Sequence, residues 1–319
     1  MSDTVESIEQ YALSKKDQAR SQFSKVGVVG AGTVGQAIIR MIAVAGIDVI
    51  FVELNNEKIE SALKSISAEI DGMIDHWGMT QGEKRAVLNR IRGSIHFKEL
   101  AGCDLVIEAV KSRSRDERVS LRKEVFKRIE DFVDPGTIIA TNSTTVVVTE
   151  LSSELKHKGR CVSLHFSTSN PGADIIEVAR GLYTSDETYA HVKKFIRLIG
   201  KKMIPVVESP GLISVRLFST LINEACEVYQ EGVAEMEDID RAIRAGLGLN
   251  LGPFELADKI GLDKVVRWLD NLYSEFGDMK YKTSPLLKRL VRANRLGRVT
   301  GQGFYQYDEG GKRIDSTIY

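Results

Sequence analysis

The sequence predicts an α/β fold, a doubly wound sheet domain followed by an all-helical domain. Three observations predict it. Short apolar runs alternate with helical patterns from Lys25 to Val207, as in a mostly parallel sheet covered on both faces. From Ser209-Pro210-Gly211 onward the apolar spacing is helical almost throughout, with turns at Gly246-Leu247-Gly248, Gly252-Pro253 and Gly261. Between Lys25 and Glu53 a strand, a glycine-rich turn, a helix and a second strand follow one another without a break.

That first unit is the most informative. Val26 to Val29 runs into Gly30-Ala31-Gly32-Thr33-Val34-Gly35; Val34, Ile38, Met41, Ile42 and Ala45 mark one helix face; Val49 to Val52 ends in Glu53. This is the form of a Rossmann-type unit that binds a dinucleotide. Gly30 allows the tight turn, Gly32 lets backbone approach a pyrophosphate, and Gly35 lets the helix lie close on the strands. The helix starting at Thr33 and Val34 offers unpaired N–H groups and a positive dipole end to phosphate. Glu53 can accept hydrogen bonds from ribose hydroxyls. Leu54-Asn55-Asn56 after it holds no Arg for a 2′-phosphate, so the expected cofactor is NAD rather than NADP.

The remaining elements follow in order. Residues 56–77 and 81–92 read as helices. Asp104 to Ile107 is a strand ending at Glu108-Ala109, and 116–132 is a charged helix. Strands run over Thr137–Ala140, Cys161–Phe166, Ile175–Val178 and Met203–Val207, with a helix over 186–200. The pattern predicts an arm over 1–24, an NAD-binding domain over 25–208 and a helical substrate and dimerisation domain over 209–319. In that last domain Leu217, Leu221, Ile222, Val265, Trp268, Leu269 and Leu272 spread over more than one helix face. All-round apolarity needs a partner, and a two-fold dimer is the usual one.

Composition excludes several classes. The 44 basic and 44 acidic residues cancel, so nothing points to nucleic acid or a membrane surface. The longest apolar stretch, 37–52, is interrupted by Arg40 and Asp48, which leaves no membrane span. The first 24 residues are polar and carry no signal-peptide core. Cys103, Cys161 and Cys226 form no CxxC pair. They suit a reducing cytoplasm and supply neither a disulfide frame nor a metal site.

Ligands of a doubly wound sheet sit beyond the carboxyl ends of its strands. That rule selects Glu108, Asn142 to Thr145, His165 and Glu177. His165 and Glu177 both lie in apolar strands. A buried carboxylate needs a partner, and pairing the two meets that need. The carboxylate would orient the imidazole and favour its protonated form. Such a His can take the O–H proton from a carbon oxidised by hydride loss. The plainer alternative is a structural ion pair.

Several segments together resemble the L-3-hydroxyacyl-CoA dehydrogenases, most closely the bacterial 3-hydroxybutyryl-CoA dehydrogenases. They are Ala140-Thr141-Asn142-Ser143-Thr144-Thr145, Leu164-His165-Phe166, Ile176-Glu177-Val178, Ser209-Pro210-Gly211, Asn223-Glu224-Ala225, Leu251-Gly252-Pro253-Phe254-Glu255-Leu256 and Gly301-Gln302-Gly303-Phe304-Tyr305. The resemblance runs from about residue 25 to about residue 308. It implies His165 as the base on a 3-hydroxyacyl thioester, Glu177 as its partner and Thr144 in place of a Ser that holds the substrate oxygen. Asn142 stands near the nicotinamide ribose, and Glu108 belongs to the cofactor site. It also implies NAD, a homodimer, and a CoA handle, with an acyl carrier protein as the alternative.

The chain departs from the family at four places. Val215 stands where the family has an Asn that meets the substrate. Ser167-Thr168-Ser169 follows His165-Phe166, ahead of Asn170-Pro171. Asp75 and His76 replace basic residues that face the CoA phosphates. A longer segment after Glu108-Ala109 carries Arg113, Arg115 and Arg118, so that Glu117 and Arg122 align with the family's nicotinamide-side Glu and Lys. Two other readings follow: a dehydrogenase of free 3-hydroxy acids, with Arg113 or Arg115 as the carboxylate ligand, and an NAD-binding homologue without activity.

Overall fold

The computed structural model describes residues 23–75, 78–111, 115–166 and 173–314. The expected arm lies outside them except for its last two residues. Also outside are His76, Arg113 and Ser167 to Pro171, and the side chains of Asp75, Arg115, Glu117 and Arg118.

In chain order the first domain comprises β1 (Lys25–Val29), α1 (Thr33–Val44), β2 (Asp48–Val52), α2 (Asn56–Asp75), α3 (Gln81–Asn89), β3 (Ile91–Ser94) and β4 (Leu105–Glu108). It continues with α4 (Arg115–Phe132), β5 (Ile138–Thr141), α5 (Val148–Ser152), β6 (Cys161–Phe166), β7 (Ile175–Arg180), α6 (Asp186–Leu198) and β8 (Lys202–Val207). The strands form one sheet in the order β3-β2-β1-β4-β5-β6-β7-β8. β1 to β6 are parallel, β7 is antiparallel to β6, and β8 is parallel to β7.

Strand alternation divides the core between two faces. Val28 and Phe51 pack with Ile38, Ile42, Ile66 and Phe195 on one side. Val29, Ile50 and Val106 pack with Phe126, Ile129 and Leu151 on the other. Side-chain caps fix helix starts: Thr80 and Glu83 form a reciprocal capping box on α3, and Ser185 caps α6.

Two expectations change here. The helix read over 81–92 stops at Asn89, and Ile91–Ser94 joins the sheet edge beside β2. Gly93 permits this, since a Cβ there would lie 2.4 Å from Ile59 Cγ2. Glu177 also does not lie at the carboxyl tip of its strand. β7 runs backwards, so its beginning lies against the end of β6.

The second domain comprises α7 (Ser214–Gln230), α8 (Met236–Leu247), α9 (Pro253–Ile260), α10 (Leu262–Phe276) and α11 (Pro285–Arg292), closed by a small hairpin of β9 (Gln306–Tyr307) and β10 (Arg313–Ile314). Ile222, Val265, Leu269 and Leu272, expected to face a second subunit, instead form this domain's own core with Phe254 and Leu287. The apolar side chains left in solvent include Ile213, Leu217, Val233, Leu247 and Met279. No helix among the described residues is long and apolar enough to cross a membrane.

Asp258 ties the closing segment to the helices. Its carboxylate accepts the N–H groups of Phe304 and Tyr305 at 2.9 Å each and the Tyr307 hydroxyl at 3.0 Å. Burial pushes its pKa up from 3.8 to about 6 against those hydrogen bonds. Asp258→Ala should leave three donors unpaired and lower stability by about 3 kcal/mol or more in urea unfolding. The folded state holds the Asp258 proton more tightly than the unfolded chain does. The group's contribution therefore grows as pH falls from about 6 toward 3.8, and the gap between parent and variant should widen in that window.

Candidate active site

The glycine turn has the geometry a dinucleotide needs. Gly30 has φ +96°, a left-handed conformation open to glycine, and its N–H donates to the Val52 carbonyl at 2.9 Å. A Cβ on Gly35 would fall 1.9 Å from the Gly30 oxygen, whereas one on Gly32 would meet nothing within 4 Å. Gly35 therefore sets the packing, and Gly32 leaves an open approach to the backbone. Glu53 stands beside the turn. Its carboxylate accepts the Ala31 N–H at 2.7 Å and the Leu54 N–H at 3.0 Å, with lone pairs left over.

Gly32, Thr33 and Val34 line one cavity of about 220 Å³ together with Asn142, Thr144, His165 and, from α10, Lys264, Arg267 and Trp268. The turn and the His thus share one space roofed by the helical domain. Asn142 is anchored through Oδ1, which accepts the Phe166 N–H at 3.0 Å. The loop after it is held from the second domain: the Gly211 N–H donates to the Thr144 carbonyl at 2.7 Å, and Asn271 Nδ2 donates to Thr145 Oγ1 at 2.9 Å. Thr144 itself lines the cavity.

Glu108 is a correction. It is 0% exposed and accepts from the Val110 N–H at 2.7 Å, Arg122 Nε at 3.1 Å and the Thr141 hydroxyl at 2.6 Å. It does not reach the cavity, and its expected contact with the cofactor falls away. What does line the cavity is its partner Arg122. That guanidinium also donates to the Val110 carbonyl at 2.8 Å, and its buried Nη1 has no hydrogen-bond partner among the described residues. Lys264 is a second basic group of this wall. Burial, with Arg267 and Lys111 nearby, holds its ammonium below the ordinary value against the pull of Asp263. Basic side chains on two sides of the cavity and an open glycine turn fit an anionic dinucleotide.

His165 and Glu177 are register partners across β6 and β7. His165 Nδ1 lies 2.8 Å from Glu177 Oε2, and both residues are buried. Burial alone would raise the Glu177 carboxyl; hydrogen bonds from His165 and Ser214 outweigh it and hold the carboxyl below its ordinary value. The ionised carboxylate makes Nδ1 the donor, which leaves the Nε2 lone pair as the acceptor. Ser214 had no place in the sequence reading. Its backbone N–H and hydroxyl reach Glu177 Oε1 at 2.9 and 2.8 Å. Val215 beside it, where a substrate-facing Asn was missed, is buried in the helical core and does not line the cavity.

Residues 25–209 match the model of the 3-hydroxyacyl-CoA dehydrogenase NAD-binding domain, and residues 211–307 match that of the 3-hydroxyacyl-CoA dehydrogenase C-terminal domain. The chain belongs to the 3-hydroxyacyl-CoA dehydrogenase family. It is 34% identical to a 3-hydroxybutyryl-CoA dehydrogenase of Clostridioides difficile over 285 residues, covering 89% of this chain and 100% of that one. Among solved structures, (S)-3-hydroxybutyryl-CoA dehydrogenase PaaH1 from Ralstonia eutropha matches with TM-score 0.82 and 35% identity over 90% of this chain and 100% of that one. FadB2 of M. tuberculosis matches with TM-score 0.86 and 29% identity over 90% and 99%.

Within this member of the 3-hydroxyacyl-CoA dehydrogenase family, the Glu108–Arg122 pair should be a structural support of the cofactor wall. Arg122→Leu would strand the Glu108 carboxylate in the interior, where losing a partner removes about 3–5 kcal/mol of stability. Thermal unfolding should record that loss, and fluorescence titration with NADH should record weaker binding.

Proposed function

We propose that this NAD-dependent oxidoreductase of the 3-hydroxyacyl-CoA dehydrogenase family interconverts a 3-hydroxyacyl thioester of the 3-hydroxybutyryl-CoA type and its 3-ketoacyl form, with His165 as the general base. The observation that carries this reading is the 2.8 Å contact between His165 and the buried Glu177, at a cavity that also contains the glycine turn. Gly30, Gly32, Thr33, Val34 and Gly35 form the phosphate side of the cofactor site, Glu53 its ribose end, and Asn142 its nicotinamide end. The bound dinucleotide supplies the hydride acceptor in one direction and the donor in the other. Nε2 of His165 takes the 3-hydroxyl proton as the C–H bond gives up hydride and the carbonyl forms. Glu177 fixes the tautomer and stabilises the imidazolium. The Thr144 hydroxyl orients the substrate oxygen. In the reverse direction the imidazolium returns the proton.

A CoA thioester is the first choice of substrate, as in the names of the relatives. A carrier-protein thioester presents the same reacting atoms. A free 3-hydroxy acid would need a carboxylate ligand, and the expected candidates, Arg113 and the Arg115 side chain, lie outside the described residues. The test follows NADH at 340 nm with acetoacetyl-CoA, acetoacetyl carrier protein and free acetoacetate, with NADPH as the comparison. Turnover with a thioester and NADH is expected, and no turnover with any of the three would overturn the reading. His165→Gln should leave NADH affinity nearly unchanged and lower turnover by roughly 10²–10⁴-fold.

A symmetric dimer through the helical domain belongs to the same reading, as does a reducing compartment such as the cytoplasm. Ile213 and Leu217, one turn apart at the start of α7, are both exposed apolar side chains that such a contact would bury. Light scattering at micromolar concentration should give twice the 35.4 kDa chain mass; a single-chain mass would contradict it.

A further inference from the structure

We propose that Ser214 is a positioning residue for the reaction, whose hydroxyl clamps one oxygen of Glu177 so that the other stays on His165. The proposal rests on the reading of His165 as the base. Glu177 Oε2 meets His165 Nδ1 at 2.8 Å, and Oε1 meets the Ser214 N–H at 2.9 Å and the Ser214 hydroxyl at 2.8 Å. Three donors on two oxygens leave the carboxylate little freedom to rotate. Ser214 is the first residue of α7, so its N–H has no partner inside the helix and carries the positive end of the helix dipole. Any residue but proline would supply that N–H. The hydroxyl is particular to this side chain, and it reaches Glu177 Oε1.

The neighbouring residue makes the assignment sharper. Val215 is 1% exposed inside the helical core, so α7 offers no amide to the cavity at the place where the resembling family has Asn. The polar side chain of this turn stands one position earlier and engages the base's partner, and Ser214 is not among the residues lining the cavity. Its contribution is therefore to the orientation and proton affinity of His165 rather than to substrate binding. Among the described residues, the charged groups that share the cavity with His165 are Lys111, Arg122, Lys264 and Arg267, with Glu177 bonded to it behind. No bond from those four to Glu177 occurs among the described residues.

Removing the hydroxyl leaves more of the Glu177 negative charge unsatisfied. That charge stabilises the imidazolium, so His165 should titrate at higher pH, and Glu177 itself should protonate more easily. Both changes move the acidic limb of the hydroxyl-oxidation profile the same way, to higher pH. The experiment compares Ser214→Ala, Ser214→Thr and the parent. Ser214→Ala should lose about tenfold in kcat, the order expected for one hydrogen bond to a charged group, with NADH affinity unchanged and the acidic limb raised. Ser214→Thr, which keeps the hydroxyl, should restore the rate and the profile. Proton NMR titration of the His165 ring, assigned with His165→Gln, reads the same shift without substrate. It keeps this claim separate from the identity of the substrate. Parent-like kcat and an unshifted His165 titration in a folded Ser214→Ala protein would overturn the proposal. So would equal losses in the Ala and Thr variants. If Ser214→Ala does not fold, Ser214→Cys, with a weaker donor of similar size, should give an intermediate shift; a parent-like titration there would also overturn it.

Discussion

The reversal of a single strand governs the site. β7 runs against β6, and the register sets Glu177 directly opposite His165. Had β7 continued the parallel pattern, its early residues would lie at the far end of the sheet from the cavity. The antiparallel pair instead puts a carboxylate next to an imidazole by backbone hydrogen bonds alone. Rigid strands hold such a pair more closely than loops could. The parallel β8 beside β7 then leads the chain into the helical domain, and α7 begins where Glu177 has an oxygen to spare.

A second constraint runs through the interior. Four carboxylates that fold inward each accept three hydrogen bonds. Glu108 takes three, Glu177 takes three, and Asp258 takes three. Asp240 accepts the Phe254 and Glu255 N–H groups and the Tyr305 hydroxyl. An unpaired charge in these places would be far too unfavourable to persist. Each therefore acts as a local organiser. Glu108 holds Arg122 in the cavity wall, Glu177 orients the His165 ring, and Asp240 and Asp258 gather the end of the chain onto the helices. Only Glu177 extends its influence to a group that faces the cavity with a lone pair.

The glycine turn and the His165–Glu177 contact are legible because both follow local rules of backbone and charge. Gly30 and Gly35 declare themselves by spacing, and the structure gives each a steric reason. His165 and Glu177 were legible as two polar residues in apolar strands that needed each other, though not the direction of β7. Glu108 was misread because the strand-tip rule locates a residue near the ligand but says nothing of where its side chain turns. β3 was missed because it carries one buried apolar residue, Ile91, and a glycine. Ser214 was invisible for a different reason. Its partner lies 37 positions away, and a serine after a Pro-Gly turn looks like an ordinary helix start.

The helices also reach back into the sheet. Asn271 holds Thr145, Gly211 holds Thr144, and Ser214 holds Glu177. The proposed catalytic centre is thus distributed between the halves of the chain, with His165 and Glu177 on one and their restraints on the other. Recombination between relatives at the Pro210 junction is therefore constrained. A chimera that brings in a foreign helical half would keep His165 and Glu177 and yet lose the Ser214 contact that restrains them. The junction is a natural seam for exchanging substrate preference, but the first turn beyond it must travel with the sheet.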